Sequence, residues 1–462
     1  MPISASNGTI ASQEARKEVA RPPLFARVFE PGLGSARFQR FRRTTLLLLG
    51  SVLVCTGLLT LRNLAGYASR LPTQKYLVRD FVQEYLMGRA ALQGLDPYAS
   101  QVELAARYLP EAIGNVFPHA CPHPPFVALL AIPLGLVPYG VAGRIWLLLE
   151  LLCVATSLFV LLAKWERHRL LTALFGTFVL LNWHPLLVEL ALGQLNALLA
   201  ALLLGCWIAY ERGHQRASGL LLGLAVSVKL FPALLIGFFL FRKRYRVVAW
   251  ASASIALTTV ATLVALGPLT AQSYVTQGLP ATRLYLNPDG NRSLVGCAYR
   301  LLAGNSTLAP LLPAPAAVLP VSAALALTIV TACLTAVARS ADEEAGFALV
   351  LAALLLVTPL AWVYYYTLLA WPLWVAVQRI RSAGWATAKT TALLLAFAAL
   401  STPQTTWESL SERLARLIAR GDWGSVRPAA AGLPLLLPTL AVLLLFWLLV
   451  SSMHNSPRRA TG

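Results

Sequence analysis

Charge is what this sequence has little of. Asp, Glu, Lys and Arg together make up 12% of its 462 residues, about half the share in an average soluble protein. Apolar residues make up 57% and mean hydropathy is +0.66. A chain so poor in charge has too little polar surface to coat soluble domains, so most of its apolar area must face lipid. Acidic residues are scarcer still: 19 against 38 Lys and Arg, a net charge of +19. The basic residues fall in short clusters between apolar runs and form no continuous face, so nucleic acid is not an expected partner. Clusters of this kind usually mark the cytoplasmic ends of membrane helices. Also missing are a Gly-rich phosphate loop, a His pair at helical spacing in a helix-forming run (His119 and His123 are four apart but in a Pro-rich loop) and a Cys pair at zinc spacing. Those absences argue against ATP-driven transport and a dedicated zinc site; neither metal nor cofactor is expected. The six cysteines do not read as a disulfide framework. Cys55, Cys153, Cys206 and Cys333 lie in apolar runs, while Cys121 and Cys297 fall in loops that would have to meet for a bridge to form.

What is there is a series of apolar runs. Runs at 44–61, 190–210 and 433–451 lack charge, and that at 246–267 carries only Arg246 at its first position, over the roughly twenty residues a helix needs to cross a bilayer. In hydrocarbon the backbone must bond within its own segment, which makes these runs helices. Candidate spans are 44–61, 124–140, 143–163, 170–187, 190–210, 217–241, 246–267, 313–338, 345–361, 363–378, 386–401 and 433–451. The expected fold is all-α, a polytopic transmembrane bundle of about 10–13 helices. Residues 1–43, with eight Lys/Arg against three Glu, read as a disordered cytoplasmic tail. A single membrane domain follows over 44–451, then a second cytoplasmic tail over 452–462. This arrangement predicts a multi-pass cell-membrane protein with both termini inside. Loops at about 62–123, 268–312 and 402–432 would lie outside.

Two segments fit single crossings poorly. Residues 124–140 carry Pro124, Pro125, Pro133 and Pro138, and 217–241 carry Lys229 and Pro232 near the middle. The first reads alternatively as re-entrant, the second as a hairpin of two short helices. In the outer loops, Asp80 opens an amphipathic stretch through Leu92. Thr405-Thr406-Trp407-Glu408 has the form of a capping box before a stripe of Trp407, Leu410, Leu414, Leu417 and Ile418. That stripe predicts a helix lying on the membrane surface.

Five groups of polar residues sit where a membrane protein must account for them. Asp80 reads either as the N-cap of the helix after it or as a general base toward a hydroxyl nucleophile. Glu84, one turn on, shares its face. Lys229 costs about 2.5–3.5 kcal/mol to insert at mid-span. With no carboxylate nearby in sequence, an anionic ligand such as a lipid phosphate suits it. Gly193-Gln194-Leu195-Asn196 follows His184 and Glu189; its amides bond either neighbouring helices or substrate. His119 and His123 lie in Pro118-His119-Ala120-Cys121-Pro122-His123-Pro124-Pro125. Finally, Asn287-Pro288-Asp289-Gly290-Asn291-Arg292-Ser293, with Arg300, puts two guanidiniums in an outer loop, suited to an anionic group.

In this order the groups resemble the polyprenol-phosphate-mannose-dependent mannosyltransferases of glycosyltransferase family 87, a GT-C class. The similar stretches are Asp80-Phe81 through Ala90-Ala91-Leu92-Gln93-Gly94-Leu95-Asp96-Pro97-Tyr98, Pro124-Pro125 with Pro133-Leu134, Gly193-Gln194-Leu195-Asn196, Gly219 to Pro232 with Lys229, and Asn291-Arg292-Ser293-Leu294 followed by Arg300. Two stretches depart from it. The family often has Tyr where this chain has His123. It also often has His after a late Trp, where this chain reads Trp362-Val363-Tyr364-Tyr365-Tyr366. The resemblance implies a GT-C fold, an active site at the outer face, a polyprenyl-phosphate sugar donor and a glycan or glycolipid acceptor, with membrane lipid around it. Asp80 matches the acidic residue that serves as base. Lys229, Arg292 and Arg300 become candidates for the donor phosphate, and Glu84, His123, Gln194, Asn196 and Asn291 for substrate contact. The competing expectation is a secondary transporter or lipid-sugar flippase, which would also keep an intramembrane Lys and interrupted helices.

Overall fold

The computed structural model describes residues 80–163, 183–305, 309–383, 387–420 and 431–453, with isolated positions at 58, 65 and 176. The expected tails over 1–43 and 454–462, the span at 44–61, most of that at 170–187 and part of the third outer loop lie outside the described residues. Within them the chain is helical and has no strand. Four helices are long and apolar enough to cross a membrane: α4 (Tyr139–Ala163), α9 (Tyr245–Leu266), the 315–339 segment containing α11 (Val318–Arg339), and the 433–453 segment containing α16 (Leu437–Met453). A fifth counts if α5 (His184–Leu192) and α6 (Asn196–Glu211), bent by 120° at their junction, form one span. The protein is a polytopic helical membrane protein.

Several expected crossings are shorter pieces, some with one face exposed. Residues 124–140 hold the eleven-residue α3 (Pro125–Gly135), after α1 (Phe81–Leu92) and α2 (Gln101–Tyr108). The 217–241 run breaks at Lys229, whose backbone is extended (φ −143°, ψ 139°). It leaves α7 (Gln215–Val228), a turn at Phe231–Ala233 and α8 (Leu234–Phe241). Two short helices are thus present here, but α7 packs chiefly on α9 and α6, and α8 on α9 and on the later helix Glu343–Val357, so no hairpin pairing between them is seen. Beyond α10 (Leu294–Leu302), helix α12 (Glu343–Val357) buries every residue from Ala345 to Leu356. It packs against α11, α13 (Ala370–Ser382) and α16, with α14 (Thr387–Ser401) also against α16. A helix apolar all round belongs in such an interior. At its N-terminus, Asp342 caps the Ala345 N–H at 3.0 Å and takes Arg379 through two bonds of 2.7 and 2.9 Å.

Two expectations for the loops change. Helix α1 is not amphipathic: Phe81 through Gly88 and Ala90 are all buried, because α3 covers one side of it and α2 and α4 others. Helix α15 (Gln404–Arg420) begins before Thr405, so that Thr is inside the helix and caps nothing; Glu408 instead accepts from Gln404 Nε2 at 2.7 Å. Cys121 and Cys297 are both free thiols.

Helices α7 and α9 pair closely, through Gly219 and Gly223. Glycines four apart let two backbones approach. A β-carbon at Gly223 would overlap Ser254 Cβ and lie 2.5 Å from Ala251 O. Gly223→Val is therefore expected to destabilise the protein by about 1–3 kcal/mol, read as a lower Tm in detergent. An unchanged Tm would mean the two helices are not held at this separation.

Candidate active site

The site is built around two helix breaks. Helix α5 ends at Gly193, whose left-handed backbone (φ 67°, ψ 45°) returns its N–H to Glu189 O; glycine adopts that conformation without steric cost. Trp146 Nε1 of α4 donates to Gly193 O at 2.9 Å and pins the bend. The bend faces Gln194 and Asn196 in different directions. Gln194 Nε2 donates to Asp80 Oδ2 at 2.7 Å, 114 residues away in sequence. Asn196 Nδ2 donates to Glu189 Oε2 at 2.8 Å, while its Oδ1 accepts from Lys229 Nζ at 3.0 Å. The second break, after α7, delivers Lys229 to this point. Its side chain is buried, with Nζ 4.2 Å from the Tyr365 ring centroid and 5.9 Å from that of Tyr364.

Asp80 occupies the position before α1, but its side chain caps no backbone N–H. The cap reading is thereby corrected: the carboxylate is turned to Gln194. Burial raises its pKa above the ordinary carboxylate value, the Gln194 bond opposes that, Glu84 adds to the rise, and His123 and Lys229 favour the ionised form. Glu84 is buried in α1 and lies 2.8 Å from His123 Nδ1, an ion-pair contact out of hydrogen-bond alignment. The Tyr98 hydroxyl fixes the His123 carbonyl at 2.6 Å. His119 bonds the Tyr285 hydroxyl and stacks on Phe117, part of an aromatic cluster that reaches Trp362.

Asp80, Glu84, His123, Gln194, Asn196 and Lys229 thus converge. Asn291, Arg292 and Arg300 form a second group, joined to the first through the Val363–Leu369 turn that carries Tyr364, Tyr365 and Tyr366. Their contacts differ. Asn291 donates to Leu286 O and Pro359 O and accepts from the Ser293 and Ala361 N–H groups, which fills the capacity of its amide. Arg300 Nη1 bonds Asn291 O at 2.7 Å and Asp289 O at 3.3 Å. Both hold the loop in shape. Arg292 is different. Its guanidinium is 3% exposed over the Tyr366 ring, and neither terminal nitrogen has a hydrogen-bond partner among the described residues.

Lys229 also has carboxylates that sequence distance concealed. Glu189 reaches it through Asn196, and Asp80 and Glu84 lie within electrostatic range. Glu189 and Tyr365 are the site residues that sequence reasoning passed over as partners of Lys229. The signal for Glu189 was a carboxylate in an apolar run seven residues before Asn196.

A sequence model described as glycosyltransferase family 87 matches residues 122–359, more than half of the chain. The chain belongs to glycosyltransferase family 87. The matched stretch includes His123, Gln194, Asn196, Lys229, Asn291, Arg292 and Arg300; Asp80 and Glu84 precede it. Among curated proteins, the chain is similar to two relatives that share one description. Each is called a polyprenol-phosphate-mannose-dependent alpha-(1-2)-phosphatidylinositol pentamannoside mannosyltransferase. The relative from Mycolicibacterium smegmatis is 29% identical over 285 residues, 58% of this chain and 65% of the relative. That from Mycobacterium tuberculosis is 29% identical over 262 residues, 54% of this chain and 56% of the relative. The chain spans less than two thirds of the length of either. No solved structure matches it.

Proposed function

We propose that this family 87 chain is a membrane glycosyltransferase that moves a hexose from a polyprenyl-phosphate donor to a hydroxyl of a lipid-linked or cell-envelope glycan. The names of the two relatives support mannose as the first sugar to try and phosphatidylinositol mannosides as the first acceptors. The observation that carries this reading is the Asp80 carboxylate, held at 2.7 Å by Gln194 in the field of the Lys229 ammonium. A base with a nearby cation is the minimum a displacement at an anomeric carbon requires.

Asp80 takes the proton of the acceptor hydroxyl as that oxygen attacks the anomeric carbon. The new carbon–oxygen bond forms as the bond to the phosphate oxygen breaks, and the phosphate monoester leaves with the electron pair. Lys229 and Arg292 receive the charge it carries away. A single displacement with one base inverts the anomeric centre, by the logic of the inverting glycosidases. The donor enters from the bilayer, so no nucleotide site is called for. The reaction belongs to the outer face of the cell membrane, with both termini on the cytoplasmic side. Membership of a glycosyltransferase family weighs against the transporter or flippase alternative.

The test is transfer itself. Purified chain should convert radiolabelled polyprenyl-phosphate mannose and phosphatidylinositol mannosides of graded length into longer labelled lipids. GDP-mannose should give none, and the product anomer should be opposite to that of the donor. Donor turnover that yields no mannosylated lipid, or a product with retained configuration, would overturn the reading.

A further inference from the structure

Glu189 takes no part in the displacement, yet it is fully buried and its carboxylate is fully engaged. It reaches past the Gly193 bend to the start of α6, where Oε1 accepts the Ala197 N–H at 2.7 Å and Oε2 accepts Asn196 Nδ2 at 2.8 Å. An amide has one oxygen and one nitrogen end, so the Glu189 bond decides that the oxygen of Asn196 faces Lys229, at 3.0 Å from Nζ. The Tyr365 ring supports the ammonium at 4.2 Å and is itself backed by Phe231, stacked at 5.4 Å and 28°. Asp80, Glu84 and the Cys121 thiol also lie within electrostatic range of Lys229. Those around Asp80 are Lys229, Glu84 and His123, with the Gln194 amide bonded to it and the Tyr285 and Tyr364 phenols in range. A helix start is satisfied by a neutral Asn or Ser, so a cap alone does not call for a buried charge here. A buried ammonium does, because without a nearby anion it tends to lose its proton.

We propose that Glu189, acting through Asn196, is a positioning residue that holds Lys229 as an ammonium facing Asp80 and so keeps the Asp80 carboxylate ionised during transfer. The proposal rests on Asp80 being the base. The sign follows from the charges. Lys229 favours the ionised form of Asp80 and Glu84 opposes it. A variant that lets Lys229 become neutral makes Asp80 harder to ionise and moves the acidic limb of kcat/KM to higher pH.

The experiment is the pH profile of mannose transfer from polyprenyl-phosphate mannose by the full chain carrying Glu189→Gln, Asn196→Ala or Glu189→Asp. The first two are expected to move the acidic limb up by about one pH unit, so that the loss below the wild-type limb is roughly tenfold greater than on the plateau above it. Glu189→Asp, which keeps the charge, should hold the limb near its wild-type position. A uniform loss at every pH would mean that Glu189 only caps α6, and the proposal falls. Should Glu189→Gln fail to fold, Asn196→Ala, which retains Glu189 and its bond to Ala197, decides the same question. Asp80→Asn run alongside separates the two failures. Transfer at the wild-type rate by Asp80→Asn, or none by the wild type, would remove the underlying function. An inactive Asp80→Asn with an unmoved Glu189→Gln limb would remove the Glu189 role alone.

Discussion

Asp80→Asn is expected to cut transfer about a thousandfold while leaving the protein as stable as before, or more so. The substituted amide has the volume of the carboxylate, and its oxygen can still accept from Gln194 Nε2, which now bonds Asp80 Oδ2 at 2.7 Å. What it cannot do is take a proton from an attacking hydroxyl. Removing a general base costs roughly 10²–10⁴ in rate. The stability half of the prediction comes from the direction of the Asp80 pKa, which burial raises above its ordinary value. A carboxyl that binds its proton more tightly when folded favours the fold below its unfolded pKa. That contribution is lost as pH rises through the folded value. Near neutral pH the ionised group therefore opposes folding, and a neutral amide relieves the opposition. Transfer assays and a Tm in the same detergent read the two halves together. Wild-type transfer would remove Asp80 as the base; a Tm lowered by many degrees would make the lost rate a folding defect.

Part of this site could be read along the chain, and the rest was hidden by where the polypeptide bends. The apolar runs gave the helical membrane class, because unbroken Leu/Ala-rich runs, unlike the alternating strands of a barrel, satisfy their backbone in lipid as helices. The 217–241 run showed its break through Lys229 and Pro232. The 120° turn between α5 and α6 was written only in Gly193, and one glycine in an apolar run does not say whether the helix bends or simply packs closely. That turn brings Asp80 to Gln194 across 114 residues and Lys229 to Asn196 across 33. Hence Asp80 read as well as a cap as it did as a base, and Lys229 lacked a carboxylate until α5 supplied Glu189. The loop at 287–293 was harder. Composition marks it as a polar turn, but only backbone geometry tells that Asn291 and Arg300 face inward onto carbonyls. The same geometry leaves the head of Arg292 without a partner among the described residues. The all-round burial of α1 was also out of reach, because it depends on α3, α2 and α4 packing around it.

Arg292→Met should lower donor kcat/KM about a hundredfold without lowering Tm. The Arg292 backbone is fixed at both ends of the residue: its N–H donates to Ala361 O at 2.7 Å, and its carbonyl accepts from Thr439 Oγ1 at 2.7 Å. The guanidinium is therefore carried to a set position, 5.6 Å over the Tyr366 ring, yet its two terminal nitrogens find no acceptor among the described residues. A buried guanidinium whose terminal nitrogens lack acceptors costs folding free energy, and the Tyr366 ring with Glu408 in electrostatic range offsets only part of that. Terminal nitrogens left open in this way suit a ligand, and the proposed leaving phosphate would supply the acceptor oxygens they lack. Methionine fills the same space without charge, so the fold gains or stays level. The transition state meanwhile loses a charged donor, a change that typically costs about 10²–10³ in rate. Arg300→Met supplies the contrast. It removes bonds to Asn291 O and Asp289 O that shape the loop, so its Tm should fall. If Arg292→Met lowers Tm as Arg300→Met does and leaves donor kcat/KM unchanged, Arg292 is one more loop clamp. The phosphate must then be met by Lys229 alone.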